Sequence, residues 1–473
     1  MLDCLRLCLL TSSGYTRLGD LAMARMFGTD GIRGLANVPP LSPEIALALG
    51  RAAVRVLAQD ASQGKPSFIL GRDTRLSSPM LEAALTAGLC SAGADVLLAG
   101  VLPTPGIAYL TRHTSAVGGI VISASHNAYM DNGIKFFAGN GAKLDDKEEE
   151  AIEACAESRE IGNTIVGEAV GTPHGYEHGL QYYTAFLKGT FRHHLPVRLR
   201  IGLDCANGAA SVVAPALFRA LGADVVVWQA DPNGININHS CGAVAPEFLQ
   251  HKILQEQLDV GFAFDGDADR LIAVDHQGRV LDGDYVLAIC AQDLLEEQAD
   301  ACRVVVSTVM ANLGLEQALE RMGFALHRTP VGDKSVVEGM RQTGALLGGE
   351  QSGHVVFLQH HTTGDGLLTA LQLLNVMLAK QQPLATLAAT LQKFPQTVLN
   401  VKIRERRDPL KLPAVHRVTE QAQQVLGKTG RIVVRLSGTE AVVRVMLEGP
   451  EQSLIETLAH DIAKVIRSEL GSL

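Results

Sequence analysis

The chain has 473 residues, enough for about three units at roughly 150 residues each, and its 47 % hydrophobic and 19 % charged content is that of a folded globular protein. Net charge is −9 and aromatic residues make up 4 %, with Trp228 the single tryptophan, which excludes a nucleic-acid platform with its basic face and stacking rings. An anionic ligand would have to be met by local Arg, Lys or metal against the overall field.

Residues 1–25 read as an extension, disordered or upstream of the true start, since patterned sequence begins at Phe27 and both Met23 and Met26 could open the chain. The apolar stretch there is short, carries Asp3 and Arg6 and lacks a cleavage site, against a signal peptide. No segment approaches the ~18 apolar residues of a membrane span. The eight cysteines are scattered with no CxxC pair and are expected to be reduced thiols of a cytoplasmic protein. Patterned sequence starts with Phe27-Gly28-Thr29-Asp30-Gly31-Ile32-Arg33-Gly34, glycine-rich, with Arg33 able to reach a phosphoryl group.

A repeat follows. A strand-like run at Ser67 to Asp73 leads through a helical stretch to Gly93-Ala94-Asp95-Val96, and Arg200 to Asp204 leads in the same way to Gly222-Ala223-Asp224-Val225. Arg303 to Ser307, then a helix, then Gly323-Phe324-Ala325-Leu326 is a looser third copy. Strand, polar turn, helix with a glycine C-cap and strand is a βαβ grammar, and it predicts three topologically similar α/β domains.

Within the first copy the apolar run Ile120-Val121-Ile122 stops at Ser123-Ala124-Ser125-His126-Asn127 and returns through Asp131-Asn132-Gly133 to Lys135. A turn needs small polar residues, but not a histidine beside a serine with a lysine soon after. Within the second, Asp265, Asp267 and Asp269 follow the apolar strand Val260 to Phe264 at alternate positions. Three crowded carboxylates are costly without a hard cation, and an oxygen-only set favours Mg²⁺. An EF-hand is excluded, because its sixth and twelfth positions fall on Arg270 and His276.

Within the third copy, Gly348-Gly349-Glu350-Gln351-Ser352-Gly353-His354 precedes a strand and sets Glu350, Ser352 and His354 on a flexible loop suited to sugar hydroxyls. The last segment alternates strands, Arg431 to Leu436 and Val442 to Glu448, before a closing helix from Pro450, and reads as a smaller α+β domain. Between its strands Ser437, Gly438 and Thr439, flanked by Arg435 and Arg444, offer N–H groups, hydroxyls and planar donors to a phosphate. A serine nucleophile, a cation, a phosphate cradle and a polyol-reading loop together describe phosphoryl transfer. The expected boundaries are 26–170, 171–276, 277–390 and 391–473.

These motifs, FGTDGIRG, GRDTR, SASHN, DGDADR, GEQSGH, TTGDG and RLSGTE in that order from Phe27 to the C-terminus, resemble those of the α-D-phosphohexomutases. Ser123 and Gln351 point to the branch acting on glucosamine phosphates, since Thr and Met are usual for glucose or mannose phosphates. The resemblance implies four domains around a central cleft, with Ser125 as the phosphorylated residue joining Asp265, Asp267 and Asp269 around one Mg²⁺ per subunit. It makes Ser125, His126, Lys135 and Arg33 catalytic, with Lys135 moving the proton of the substrate hydroxyl. It gives sugar hydroxyls to Glu350, Ser352 and His354, and the non-reacting phosphate to Arg435, Ser437, Gly438, Thr439 and Arg444.

The implied reaction interconverts glucosamine 6-phosphate and glucosamine 1-phosphate through glucosamine 1,6-bisphosphate, feeding UDP-N-acetylglucosamine and cell-wall synthesis. The expected partner is a small-molecule sugar phosphate, with no nucleic acid and no membrane; a homodimer stays open. Ala128 and Ala441 stand where the family has proline, Lys334-Ser335 where Arg-Tyr is usual and Ala243-Val244 where Ser-Thr is usual, which loosens turns and weakens one phosphate contact. The alternatives are a glucose or mannose phosphate mutase, a phosphatase using Asp265 as nucleophile, and a non-catalytic paralogue.

Overall fold

The computed structural model describes residues 25–28, 30–59, 64–158, 164–196, 199–297, 302–437 and 441–471. Of the expected extension only Arg25 lies among them, and it belongs to the fold, its Nη2 standing 3.5 Å from Asp146 and 3.6 Å from Glu149. The rest of the extension lies outside the described residues.

Four sheets follow one another along the chain, and the first three share a kernel. In the first, Ser67–Arg72 pairs in parallel with Asp95–Val101 on one side and Gly118–Ile122 on the other, and Asp131–Ala138 closes against Gly118–Ile122 antiparallel. Arg200–Asp204, Asp224–Trp228, Val260–Phe264 and Leu271–Asp275 repeat that order and sense, and so do Val304–Thr308, Ala325–Thr329, Leu347–Gly349 and Val355–Phe357. The echo in the sequence is therefore a repeat of topology. Gly93, Gly222 and Gly323 end the equivalent helices at φ +92°, +96° and +80°, a left-handed conformation where a side chain is strained.

The third strand of the kernel is fully buried in both Gly118–Ile122 and Val260–Phe264, and so reads as an unbroken apolar run rather than an alternating one. In each unit the turn from this strand to its antiparallel neighbour carries the chemistry-bearing motif: Ser123 to Met130, Asp265 to Arg270 and Glu350 to His354. Both sheet edges outrun the expected boundaries. Pro173–Gly175 pairs with Asp95–Val101, so the first sheet extends beyond 170, and Val280–Leu281 pairs with Leu271–Asp275, so the second extends beyond 276.

One apolar core runs through the first three units, from Ile69 to Leu391, and the helix Gly366–Lys380 is buried along most of its length within it. The fourth sheet, Gln396–Lys402, Val442–Glu448 and Arg431–Leu436, is antiparallel and has its own core with the helices Pro413–Leu426 and Gln452–Leu470. It is tied to the third unit by polar contacts. Glu448 is fully buried, pairs with Arg431 at 2.9 Å and accepts from Leu313 N at 3.2 Å, while Arg431 Nη2 donates to Ala311 O at 2.7 Å. Among the described residues no helix is long and apolar enough to cross a membrane, and the six described cysteines are free thiols.

Candidate active site

Ser125 sits at the head of its turn with φ +51°, in the left-handed region, and is 1 % exposed. The short side chain of Ser123 makes the conformation tenable: its Oγ accepts from Ser125 N at 2.9 Å and donates to Asp73 Oδ2 at 2.7 Å. Ser125 Oγ then reaches across to the second unit and donates to Asp265 Oδ2 at 2.6 Å. His126 Nδ1 lies 3.3 Å from the same hydroxyl, and burial, with Arg270 and Arg33 nearby, pushes its pKa down to about 4, so the ring is neutral at pH 7.

The aspartate turn has a left-handed residue of its own, Ala268 at φ +57°. One oxygen from each of Asp265, Asp267 and Asp269 lies within 4.8 Å of the others, and the most accessible of the three residues is 3 % exposed. Asp267 Oδ1 and Asp269 Oδ1 are buried without a hydrogen-bond partner. Such orphaned oxygens are costly in a dry site, and an all-oxygen set with two of them is what a hard divalent cation binds. The residues fit Mg²⁺. Burial first, then Asp269 and Asp267, hold the Asp265 carboxyl well above the usual range. Burial also pushes Asp269 up, but Lys135, His354 and Arg270 outweigh it and its pKa falls well below the usual range.

Lys135 lies between the units, 2 % exposed, with Nζ 2.8 Å from Asp267, 2.9 Å from Asp30 and 3.5 Å from Asp269. Burial works against its charge, yet Asp267, Asp30 and Asp269 outweigh that and raise its pKa above the usual lysine range. In this arrangement Lys135 holds its proton. Asp30 also pairs with Arg33 and Lys143, and Lys143 with Asp333 of the third unit. From the first unit Thr104 fixes the aspartate turn twice, Oγ1 donating to Asp267 Oδ2 at 2.6 Å and N to Asp267 O at 3.0 Å.

A cavity of about 390 Å³ opens beside these groups, lined by Asp30, Arg33, His126, Asp269, Arg270, Glu350 and His354 among others. Glu350 Oε1 accepts from Gly332 N at 2.9 Å, and Ser352 Oγ donates to Glu350 Oε2 at 3.4 Å. His354, expected on the sugar, has both ring nitrogens turned to protein: Nε2 accepts from Gly364 N at 3.1 Å and Nδ1 stands 3.7 Å from Asp269 Oδ2. That geometry makes it a support for the aspartate turn.

Arg435 and Arg444 face each other directly across the fourth sheet. Like charges in that register are unfavourable. Burial, with Arg444 beside it, pushes the Arg435 guanidinium down, and its Nε is buried without a partner. Ser437 is 4 % exposed and its carbonyl accepts from Arg406 at 3.0 Å; Gly438 and Thr439 lie outside the described residues. Among the described residues, neither these arginines nor Ser437 lines the cavity. Lys334, standing where an arginine is usual, turns away to Glu149 at 2.6 Å on the first unit.

Sequence reasoning gave no role to Asp30, Thr104, Lys143, Arg270 or Asp333. Only Arg270 and Asp30 stood inside quoted motifs, where an ionisable residue beside a carboxylate or an arginine was a usable signal.

Models of the phosphoglucomutase/phosphomannomutase family match in chain order: the alpha/beta/alpha domain I over residues 24–161, domain II over 181–278, domain III over 282–394 and the C-terminal domain over 398–465. A phosphoglucosamine mutase of Syntrophotalea carbinolica is 47 % identical over 449 residues, covering 94 % of this chain and 98 % of that protein. The crystal structure of a phosphoglucomutase/phosphomannomutase family protein from Burkholderia thailandensis superposes with a TM-score of 0.78 at 26 % identity, over 94 % of this chain and 97 % of that one. The fold is shared with Aspergillus fumigatus N-acetylphosphoglucosamine mutase, solved with GlcNAc-6P and magnesium, at a TM-score of 0.61 and 20 % identity over 87 % of this chain and 85 % of that one. With its four domains matched in order and a relative aligned almost end to end, the chain belongs to the phosphoglucomutase/phosphomannomutase family.

Proposed function

We propose that the protein is a phosphoglucosamine mutase, interconverting glucosamine 6-phosphate and glucosamine 1-phosphate with Ser125 as the phosphoryl carrier. One observation carries the assignment of the carrier: the Ser125 hydroxyl, 140 residues away in sequence, lies 2.6 Å from Asp265 in the aspartate triad. A phosphatase with Asp265 as nucleophile has no use for that serine. The aligned phosphoglucosamine mutases supply the sugar.

Phosphorylated Ser125 gives its phosphoryl to O1 of glucosamine 6-phosphate, leaving glucosamine 1,6-bisphosphate. The bisphosphate turns end for end and returns its 6-phosphoryl to Ser125. Asp265, Asp267 and Asp269, with an oxygen on Ser125, would hold one Mg²⁺ per subunit. When bound, the ion would supply positive charge beside the transferring group, and Lys135, against Asp267 and Asp269, is the side chain placed to exchange the proton of the substrate hydroxyl. Arg33 and Arg270 line the cavity and stabilise charge on the transferring group. The neutral His126 orients the serine oxygen, and Glu350 accepts from sugar hydroxyls. Arg435, Ser437 and Arg444, with Gly438 and Thr439, take the non-reacting phosphate. The product feeds UDP-N-acetylglucosamine synthesis in the cytoplasm.

The purified chain, primed with a sugar 1,6-bisphosphate, should show its highest kcat/KM on glucosamine 6-phosphate, and chelation should abolish turnover until Mg²⁺ returns. A higher kcat/KM on glucose or mannose 6-phosphate overturns the choice of sugar.

A further inference from the structure

The motif Gly71-Arg72-Asp73-Thr74-Arg75 carries part of the family resemblance, yet the chemistry above leaves Arg75 without a task. Arg75 is 1 % exposed, an unusual place for a guanidinium. Its Nε donates to Asp73 Oδ2 at 2.7 Å, which fixes the plane of the fork. The remaining edges all point at the main chain of the serine turn. Nη2 donates to Ser125 O at 2.9 Å and Asn127 O at 3.0 Å, and Nη1 to Asp131 O at 3.0 Å and to Ala128 O.

From the second domain, Asn238 Nδ2 donates to two of the same carbonyls, Ser125 O at 2.8 Å and Asn127 O at 3.0 Å. Asp73 closes the arrangement from beneath, accepting from Ser123 Oγ at 2.7 Å and from Ser78 Oγ at 3.0 Å.

We propose that Arg75, braced by Asp73 and met from the second domain by Asn238, is a positioning residue that clamps the carbonyls of the phosphoryl-carrying turn and keeps Ser125 Oγ on the aspartate triad. This deepens the mutase assignment and rests on Ser125 being the carrier. Ala128 O also accepts from Asp131 N at 3.1 Å and Asp131 belongs to a strand, but among the described residues no main-chain N–H reaches Ser125 O or Asn127 O, so their partners come from side chains. A planar fork can serve four acceptors at once, and bonds from a charged donor are the stronger kind. An ammonium at the same place has three donors in a cone and cannot span them. The clamp also accounts for Ala128, where the family has proline: the carbonyl of that residue is fastened by Arg75, which restrains the turn without the ring.

The test compares Arg75→Lys and Asn238→Ala with the parent chain in kcat and KM on glucosamine 6-phosphate, and in amide hydrogen exchange of residues 123–131. Misplacing a reacting group by about 1 Å lowers rate by roughly 100-fold. Arg75→Lys should therefore lose roughly 100-fold in kcat with KM within about twofold, and should exchange faster at 125–131 but not along Val260–Phe264. A kcat within about twofold of the parent, or a KM that rises as kcat falls, overturns the proposal. If Arg75→Lys does not fold, Asn238→Ala decides: about 10-fold lower kcat at unchanged KM supports the clamp, and parental kcat overturns it. If the parent turns over no hexose 6-phosphate, the mutase assignment fails by itself. Exchange then decides the clamp, and unchanged exchange at 125–131 in the folded Arg75→Lys or Asn238→Ala chain overturns it.

Discussion

The turn that carries Ser125 and the arginine pair of the fourth sheet have opposite habits. In the first, the polar groups are already matched inside the protein: the Ser125 hydroxyl by Asp265, its N–H by Ser123, its carbonyl by Arg75 and Asn238. In the second, Arg435 keeps a buried Nε without a partner and faces another arginine across the sheet. A group that must return to one spot after each transfer is preorganised by bonds that do not change. A group proposed to hold a phosphate and then let it leave keeps donors available for it. The two are separate interactions with separate kinetic signatures.

Four substitutions should break or sharpen that contrast. Ser125→Ala removes the carrier, and turnover should fall by at least about 10³-fold, with no phosphate found at position 125 by intact mass after incubation with a sugar bisphosphate. Arg435→Ala should instead raise KM by about 10- to 100-fold with kcat within about threefold, because a phosphate contact held in ground and transition states alike is binding energy. A fall in kcat as large as that of Ser125→Ala would place Arg435 at the transferring group and erase the distinction.

The third concerns pH. His361, fully enclosed, supports the preorganised side by facing Pro105 O at 2.9 Å, beside the threonine that grips Asp267. Burial pushes its pKa down to about 4. The unfolded chain takes up this proton below about 6.5 and the folded one does not, so the contribution to stability is complete above that value and is lost as pH falls toward 4, by about 1.4 kcal/mol per pH unit. Between pH 7 and pH 5, urea unfolding of the parent should therefore lose about 2 kcal/mol more than that of His361→Gln. Equal losses would mean the ring is protonated in the folded state. The smallest effect is expected for Ala128→Pro. The Ala128 N–H makes no hydrogen bond among the described residues, so the ring displaces none. Denaturant titration should show a gain of about 0.4–1 kcal/mol, and a loss would show that the clamped turn cannot accept the proline φ.

Elements and reactive loops were legible in the sequence where local rules act. Apolar runs such as Ile120 to Ile122 and Val260 to Phe264 mark buried strands, and carboxylates or serines where such a run ends mark something held. Supports that come from a distance were not legible. Thr104 meets Asp267 across 163 residues, Asn238 meets Ser125 across 113, and no local pattern distinguishes either from a surface polar residue. His354 looked like a sugar ligand because its loop is glycine-rich; only the packing of Gly364 and Asp269 around the ring shows where its nitrogens go. Lys334 was expected near a phosphate, and instead Glu149, a buried acid on a helix nearly 190 residues earlier, holds it.

The kernel places each motif on the same connection of its own unit, so the serine, the aspartates and Glu350 come together only when the three units have packed against one another. A chain emerging from the ribosome finishes the serine turn long before the aspartate turn exists. Until then Asp265, the carboxylate that the hydroxyl faces in the finished protein, is not there to meet it.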